Sequence, residues 1–247
     1  MRETRLMMGM PITIDVVGAS TSLVHDQAFA YFDAVDKRFS TYRDDSEISA
    51  INAGRIAPAD YSAEMKEVFA LAETTRWDTD GYFNIRRPDA RIDPSGIVKG
   101  WAIRNAARLI ADAGAEHFFV DAGGDIQCAG KNAEGRDWSV GIRDPFHPQR
   151  IVKTVFPRGK GVATSGNYVR GQHIYNPHAP SQVVEDIVSL TIVAVDVYEA
   201  DRYATAAFAM GREGIQFVQS VPGLEGYSID AAGIATMTSG FEALTQP

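Results

Sequence analysis

Residues 116–130 read Glu-His-Phe-Phe-Val-Asp-Ala-Gly-Gly-Asp-Ile-Gln-Cys-Ala-Gly, and this stretch decides the fold. From residue 116 onward the apolar residues recur with a period of two, and Gly123-Gly124 interrupts them. That pattern predicts two strands, Phe118–Asp121 and Ile126–Ala129, joined by a short turn. Ser139–Ile142 and Ile151–Phe156 continue it, separated by glycine or proline turns. Turns this short join antiparallel neighbours, because a parallel pair needs a long crossover.

Working outward, Gly100–Ala113 has helical spacing through Trp101, Ile103, Ala106, Ala107, Leu109 and Ile110, with Gly114 suited to end it. Ser62–Arg76 and Ser20–Phe39 read as long amphipathic helices, the former striped by Met65, Val68, Phe69, Ala72 and Trp77, the latter opened by a Ser/Thr cap and striped by Leu23, Val24, Phe29, Phe32, Val35 and Phe39. Ser46 suits the cap of a short helix, Glu47–Asn52, and Met10–Val17 alternates as a strand. Residues 79–99 break pattern at Gly81, Pro88, Pro94 and Gly96. Downstream come a β-branched strand Val184–Val195, a helix Tyr198–Met210, a further helix near Glu213–Ser220, and strands Gly226–Asp230 and Ile234–Met237. Strands and helices interleave without a βαβ rhythm, so the expected class is α+β, mainly antiparallel sheet with flanking helices. No repeat, low-complexity tract or linker divides residues 1–247, which are read as one domain.

The composition narrows the function. Of 247 residues 45% are apolar and 23% charged, enough for a sizeable core. Lys plus Arg is 24 against 32 for Asp plus Glu, a net charge of −8 with no basic run, so nucleic acid is not an expected partner. An anionic substrate would need a cation or well-placed basic groups. No G-x-G-x-x-G opens a helix after a strand, and neither a P-loop nor a zinc-protease helix occurs. Cys128 is the only cysteine; with no His or Lys beside it, it reads as a core thiol rather than a nucleophile. No apolar run reaches the ~20 residues of a transmembrane helix, and the N-terminal apolar stretch is too short for a secretory signal. A cytoplasmic protein is expected; an exported one whose signal has been removed reads the same.

Four segments place small and polar residues where a core would place apolar ones. In Asp93-Pro-Ser-Gly-Ile-Val-Lys-Gly100, glycines around Lys99 ahead of a helix suit an anion, or an ordinary turn with a solvated lysine. In Val120-Asp-Ala-Gly-Gly-Asp125, the glycines suit close approach to a ligand, or a tight turn whose aspartates cap their own backbone. Thr164-Ser165-Gly166, with His173 shortly after, suits a phosphate-handling cleft, although a histidine with an apolar neighbour is commonly structural. In Glu199-Ala-Asp-Arg-Tyr-Ala-Thr-Ala-Ala, Asp201 and Thr205 are four apart and share a helical face. They are hard oxygen ligands for Mg²⁺ or Ca²⁺, or Asp201 is a helix-start charge favoured by the dipole. The alanines around them imply close packing against a sheet or a ligand.

The order of these segments carries more than any one of them. Met8-Gly9, Phe39-Ser-Thr-Tyr42 with Asp45-Ser-Glu, Asp93-x-Ser-Gly-Ile-x-Lys-Gly100 and Asp121-x-Gly-Gly-Asp125 come first. Trp138-x-Val-Gly-Ile-x-Asp-Pro145, Thr164-Ser-Gly166, His173-Ile-x-Asn-Pro177 and Asp201-x-x-x-Thr205 follow. From about residue 7 to 240 the chain resembles the ApbE family, the FAD:protein FMN transferases.

The resemblance implies a T-fold-like protein with two lobes around an FAD-binding cleft, and a divalent cation, normally Mg²⁺, on the diphosphate. The cation ligands would be Asp201, Thr205 and the backbone carbonyl of Gly96, with Ala204 nearby. Contacts to FAD would map to Met8, Tyr42, Tyr82, Phe83, Asn84, Asp93, Lys99, His173 and Ile174, with Gly123, Gly124, Asp125, Thr164 and Ser165 in the wall. The implied reaction cuts FAD at its pyrophosphate, esterifies FMN to a threonine of an acceptor protein and releases AMP. His173 is the candidate base or proton relay, and Asp201 is catalytic through the cation. An FAD pyrophosphatase giving FMN and AMP, and a non-catalytic flavin-binding protein, are the alternatives. Three departures from the family pattern bear on the site: Asn84 and Asn176 stand where Asp is frequent, and Pro94-Ser95 replaces Leu-Gly before Gly96.

Overall fold

A computed structural model describes residues 1–18, 22–167 and 174–247. The hairpin anticipated at Gly123-Gly124 lies near the middle of an eight-stranded sheet. Its strands are β1 (Arg2–Met7), β2 (Met10–Val16), β3 (Phe118–Ala122), β4 (Asp125–Ala129), β7 (Gly161–Gly166), β8 (Ile187–Ala194), β9 (Glu225–Asp230) and β10 (Ala235–Met237). They neighbour one another in that order, every pair antiparallel. The strands β5 (Val140–Arg143) and β6 (Ile151–Val155) form a separate hairpin. The helices are α1 (Ser22–Phe39), α2 (Glu47–Asn52), α3 (Ala63–Asp78), α4 (Ser95–Asp112), α5 (Val197–Ala209) and α6 (Gly214–Ser220). Two strands, helices and two strands follow one another twice, once in each half of the sheet, which is the T-fold-like arrangement the resemblance implies.

Alternation along each strand sorts side chains into two apolar layers. On the helical face, Ile12, Ile14 and Val16 of β2 and Phe118 and Val120 of β3 join Phe29 and Phe32 of α1 and Ile103 and Ile110 of α4. In the second half, Leu190, Ile192 and Ala194 of β8 meet Tyr203, Ala207 and Phe208 of α5 and Ile215 and Val218 of α6. On the opposite face Phe119, Ile126, Cys128, Val162 and Val193 lie beneath Val140, Ile142 and Val155 of the β5–β6 hairpin and Phe241. The near-continuous apolar run of β8 reflects this burial from both sides.

Several expectations are corrected. The strand β1, Arg-Glu-Thr-Arg-Leu-Met, was not anticipated, because its apolar residues are too few to give a period. It forms the sheet edge, where charged side chains discourage pairing with another molecule, and Thr4 and Thr13 pair across it at 2.9 Å. Helix α4 begins at Ser95, five residues before Gly100; Gly96 and Gly100 therefore lie inside it, for a reason given by the neighbouring helix below. The strand expected over Val184–Val195 is shorter, and Leu23 of the α1 stripe, Trp77 of the α3 stripe and Leu109 of the α4 stripe are exposed, each facing away from the core. The Ser/Thr cap of α1 falls at positions outside the described residues. Ser46 and Ser62 cap their helices as expected, accepting the N–H of Ser49 at 3.1 Å and Met65 at 3.2 Å. Among the described residues no helix is long and apolar enough to cross a membrane.

The β3–β4 turn has two residues, and both φ angles are positive (64° at Gly123, 99° at Gly124). Paired positive φ angles of this kind mark the type I′ turn whose twist matches antiparallel strands. Gly161 has a different reason: a Cβ there would lie 1.9 Å from the Val197 amide nitrogen, where β7 passes under the start of α5. Gly124→Ala meets nothing within 4 Å and should cost only the backbone term, about 1 kcal/mol. Gly161→Ala must push β7 and α5 apart and should cost about 2–3 kcal/mol; urea unfolding of the two variants measures the difference. Cys128 is buried, and burial raises its thiol pKa to about 11. It should resist a maleimide at neutral pH in the folded protein and react within minutes in denaturant.

Candidate active site

The site is built where α4 and α5 cross. A Cβ added at Gly100 would lie 2.6 Å from the Asp201 Cβ, and one at Gly96 would lie 3.2 Å from the Thr205 Cγ2. The two glycines are one turn apart on α4, and their partners are one turn apart on α5 in the opposite direction. A side chain at 100 would meet the Asp201 Cβ and the Val197 carbonyl, 2.8 Å away, and push the helices apart, whereas one at 96 would fit only if Thr205 or Phe83 gave way by a few tenths of an ångström. The alanines of α5 complete the close fit: Ala200, Ala204, Ala206 and Ala207 are fully buried. The packing implied by those alanines is thus against the sheet and α4.

Asp201 is 3% exposed and is held by a backbone partner, the Gly100 N–H donating to Oδ2 at 2.8 Å. Asp125, 1% exposed at the start of β4, accepts the Thr164 N–H on Oδ1 at 3.0 Å. Between them stands the Lys99 ammonium, 2.5 Å from Asp125 Oδ2 and 3.5 Å from Asp201 Oδ1. Burial pushes the Asp201 carboxyl well above the usual carboxylate range. Lys99 opposes that shift, and the neighbouring Asp125 adds to it. The Thr205 hydroxyl donates to the Gly96 carbonyl at 3.4 Å, one turn away on the same seam.

This cluster forms the floor of a cleft of about 620 Å³, a size suited to a nucleotide-scale ligand. Its walls come from both halves of the sheet. Tyr82, Phe83, Asn84, Asp93, Gly96 and Lys99 line one part, with Gly123, Gly124 and Asp125 beside them; Thr164, Ser165, Ile174, Asp201 and Thr205 line another. Met8 and Tyr42 are not in the lining: Met8 sits in the β1–β2 turn beside lining residue Gly9, and Tyr42 is 98% exposed after α1. Ala204 is buried in the packing of α5 against the second half of the sheet. His173 lies outside the described residues.

The two readings of the 120–125 segment divide between its aspartates. Asp121 caps its own turn, Oδ1 accepting the Gly124 N–H at 2.8 Å, whereas Asp125 reaches across to β7. Burial raises the Asp121 pKa. Lys99 is not a solvated turn residue but the second-turn lysine of α4, with its head in the cluster. The two asparagines keep an acceptor where Asp is frequent: Asn84 Oδ1 takes the Arg86 N–H and Asn176 Oδ1 the His178 N–H, both at 2.9 Å. Turn closure of this kind serves Asn and Asp equally. Arg87 and Arg143 also line the cleft. Neither was singled out, since Arg143 alone and the Arg86-Arg87 pair fall short of a basic run.

The donor set suits a divalent cation. A carboxylate, a hydroxyl and a main-chain carbonyl are hard oxygens, and two buried carboxylates against one ammonium leave a deficit of positive charge. Among the described residues no group of three or more His, Cys, Asp or Glu side chains could hold a metal ion, so a cation here would rest on hydroxyl and carbonyl oxygens too.

Comparison with known proteins follows from this geometry. A FAD:protein FMN transferase of Klebsiella pneumoniae is 31% identical over 155 residues, 59% of this chain and 44% of that relative. The Escherichia coli FAD:protein FMN transferase matches to the same extent, so the chain covers less than half the length of these relatives. The Haemophilus influenzae protein of that name is 23% identical across 93% of this chain and 86% of its own. Among solved structures, the flavin transferase ApbE of Vibrio cholerae superposes with a TM-score of 0.86 at 22% identity, over 99% of this chain and 98% of that one. The ApbE protein of Thermotoga maritima gives 0.86 at 21% identity, over 100% and 99%; at these identities the likeness establishes the fold. The ApbE family model matches residues 8–87 and 85–228, nearly the whole chain, and the chain belongs to the ApbE family.

Proposed function

We propose that this chain, as one domain, transfers the FMN moiety of FAD to a threonine hydroxyl of an acceptor protein and releases AMP, with a divalent cation, normally Mg²⁺, at the α4–α5 seam. The observation that carries the reading is the buried Asp201–Lys99–Asp125 cluster beside Thr205 and the Gly96 carbonyl, at the floor of a nucleotide-sized cleft. The named relatives support transfer over hydrolysis, since each is called a transferase.

In this reading the acceptor oxygen forms a bond to the phosphorus of the FMN half. The bond from that phosphorus to the bridging oxygen breaks, and the oxygen leaves with AMP. The hydroxyl proton passes to a base, for which His173 is the candidate. Asp201, Thr205 and the Gly96 carbonyl would hold the cation, which would neutralise the diphosphate and stabilise the leaving oxygen. Asp201 is fixed for this role by the Gly100 N–H, so little reorganisation accompanies binding. Lys99 is the basic group within the cluster, and Arg87, paired with Asp93 at 3.2 Å, and Arg143 stand in the cleft walls of an otherwise acidic protein. The flavin ring would lie against the Tyr82–Phe83–Asn84 segment and Ile174, which supply apolar and aromatic surface. A cytoplasmic location goes with this reading, the acceptor sharing the compartment; cell fractionation checks it.

The test incubates the protein with FAD, MgCl₂ and an acceptor protein carrying a candidate threonine, then reads flavin fluorescence on a denaturing gel. A labelled band with one AMP released per flavin bound is expected. Asp201→Ala should lower labelling at least about a hundredfold, and chelation with EDTA should do the same. Labelling by Asp201→Ala at the wild-type rate would remove the cation assignment, and FMN released to water with no labelled acceptor would favour the pyrophosphatase.

A further inference from the structure

The position of Lys99 points to a role distinct from substrate contact. We propose that Lys99 is a built-in counter-ion at the cation site: its ammonium holds Asp125 and Asp201 together until a divalent cation arrives and displaces it from Asp201. This inference rests on the divalent-cation reading above and deepens it.

The arrangement of oxygens carries the argument. Each carboxylate has one oxygen held by a main-chain N–H, Asp201 Oδ2 by Gly100 and Asp125 Oδ1 by Thr164. The remaining oxygens, Asp201 Oδ1 and Asp125 Oδ2, are the two that face Lys99 Nζ, at 3.5 and 2.5 Å. The Asp201 oxygen open to a cation is therefore the one the ammonium now neighbours. The two carboxylate side chains are 4% and 2% exposed. Without a cation their mutual repulsion in so dry a setting would open the α4–α5 seam or force a proton onto one of them. Lys99 projects from α4 itself, one residue before Gly100, so its charge is tethered at the seam where it is needed.

The contacts are unequal in a way that suits displacement. The short one is to Asp125 and the long one to Asp201, so the ammonium can give up Asp201 while keeping its grip on β4. The Lys99 side chain is 17% exposed, unlike its two partners, and lines the cleft. A lysine head is a compact charge on a flexible four-carbon stem and can withdraw a short way without moving the helix. A lysine serving only as a structural tie would instead matter equally with and without a cation.

That difference gives the test, read by thermal melting in EDTA and in MgCl₂, with calorimetric titration of MgCl₂ into the metal-free protein. For Lys99→Met, the melting temperature in EDTA should fall, and MgCl₂ should raise it by at least about 3 °C more than in the wild type. Mg²⁺ should bind at least about tenfold more tightly, because no ammonium has to be displaced. The double variant Lys99→Met/Asp125→Asn restores the net charge of the cluster and should regain melting temperature in EDTA, which also covers the case of a single variant too unstable to purify. Equal destabilisation of Lys99→Met with and without Mg²⁺ and unchanged or weaker Mg²⁺ binding would overturn the proposal, as would a double variant no more stable in EDTA than the single one. Absence of Mg²⁺ binding by both wild type and Lys99→Met would instead overturn the cation reading on which it rests.

Discussion

The site depends on the close antiparallel crossing of α4 and α5, which Gly96 and Gly100 permit. With Asp201 Cβ 2.6 Å from where a Gly100 side chain would begin, the approach is available to no other residue. Everything chemical follows from that distance. It brings the Gly100 N–H within reach of Asp201, sets Thr205 against the Gly96 carbonyl, and lets Lys99 on α4 reach both α5 and β4. The sheet supports the crossing from below: β7 passes under the start of α5 at Gly161, and Asp125 enters from the adjacent β4.

In the proposed reaction a protein of net charge −8 would receive a diphosphate, which sets an electrostatic problem at the point of binding. The cleft answers it locally. Its floor holds the carboxylates of Asp125 and Asp201 with the Lys99 ammonium between them, while Arg87 and Arg143 stand in the walls. Burial makes the charges of the floor count, because the water that would screen Asp125 and Asp201 is excluded. The same burial requires that no charge be left unmatched, and the main-chain donors at Gly100 and Thr164 contribute to that balance.

Much of this was legible in the sequence for definite reasons. The period-two runs around Gly123-Gly124, the helical stripes of α1 and α5, and the caps Ser46 and Ser62 are local signals, each set by residues within one or two turns of one another. The i, i+4 spacing of Asp201 and Thr205 likewise fixed their shared face before any packing was known. The edge strand β1 was missed because edge strands are built to look polar. The start of α4 was misplaced because Pro94 and Gly96 are breakers by local propensity, whereas Pro94 only precedes the helix and Gly96 and Gly100 lie inside it, facing α5 a hundred residues away. Arg87 and Arg143 gave no signal because what places them in the cleft is the arrangement of its walls.

The sequence by itself determined the α+β class, the antiparallel pairing and the shared helical face of Asp201 and Thr205, since propensity, turn chemistry and periodicity act over short chain distances. Only the tertiary structure decided that Lys99 sits between Asp125 and Asp201, that Gly96 and Gly100 are helix-packing residues, and that Tyr42 stands outside the cleft lining. Those facts depend on which surfaces meet, and contact between residues 99, 125 and 201 is a property of the folded sheet that no local pattern encodes.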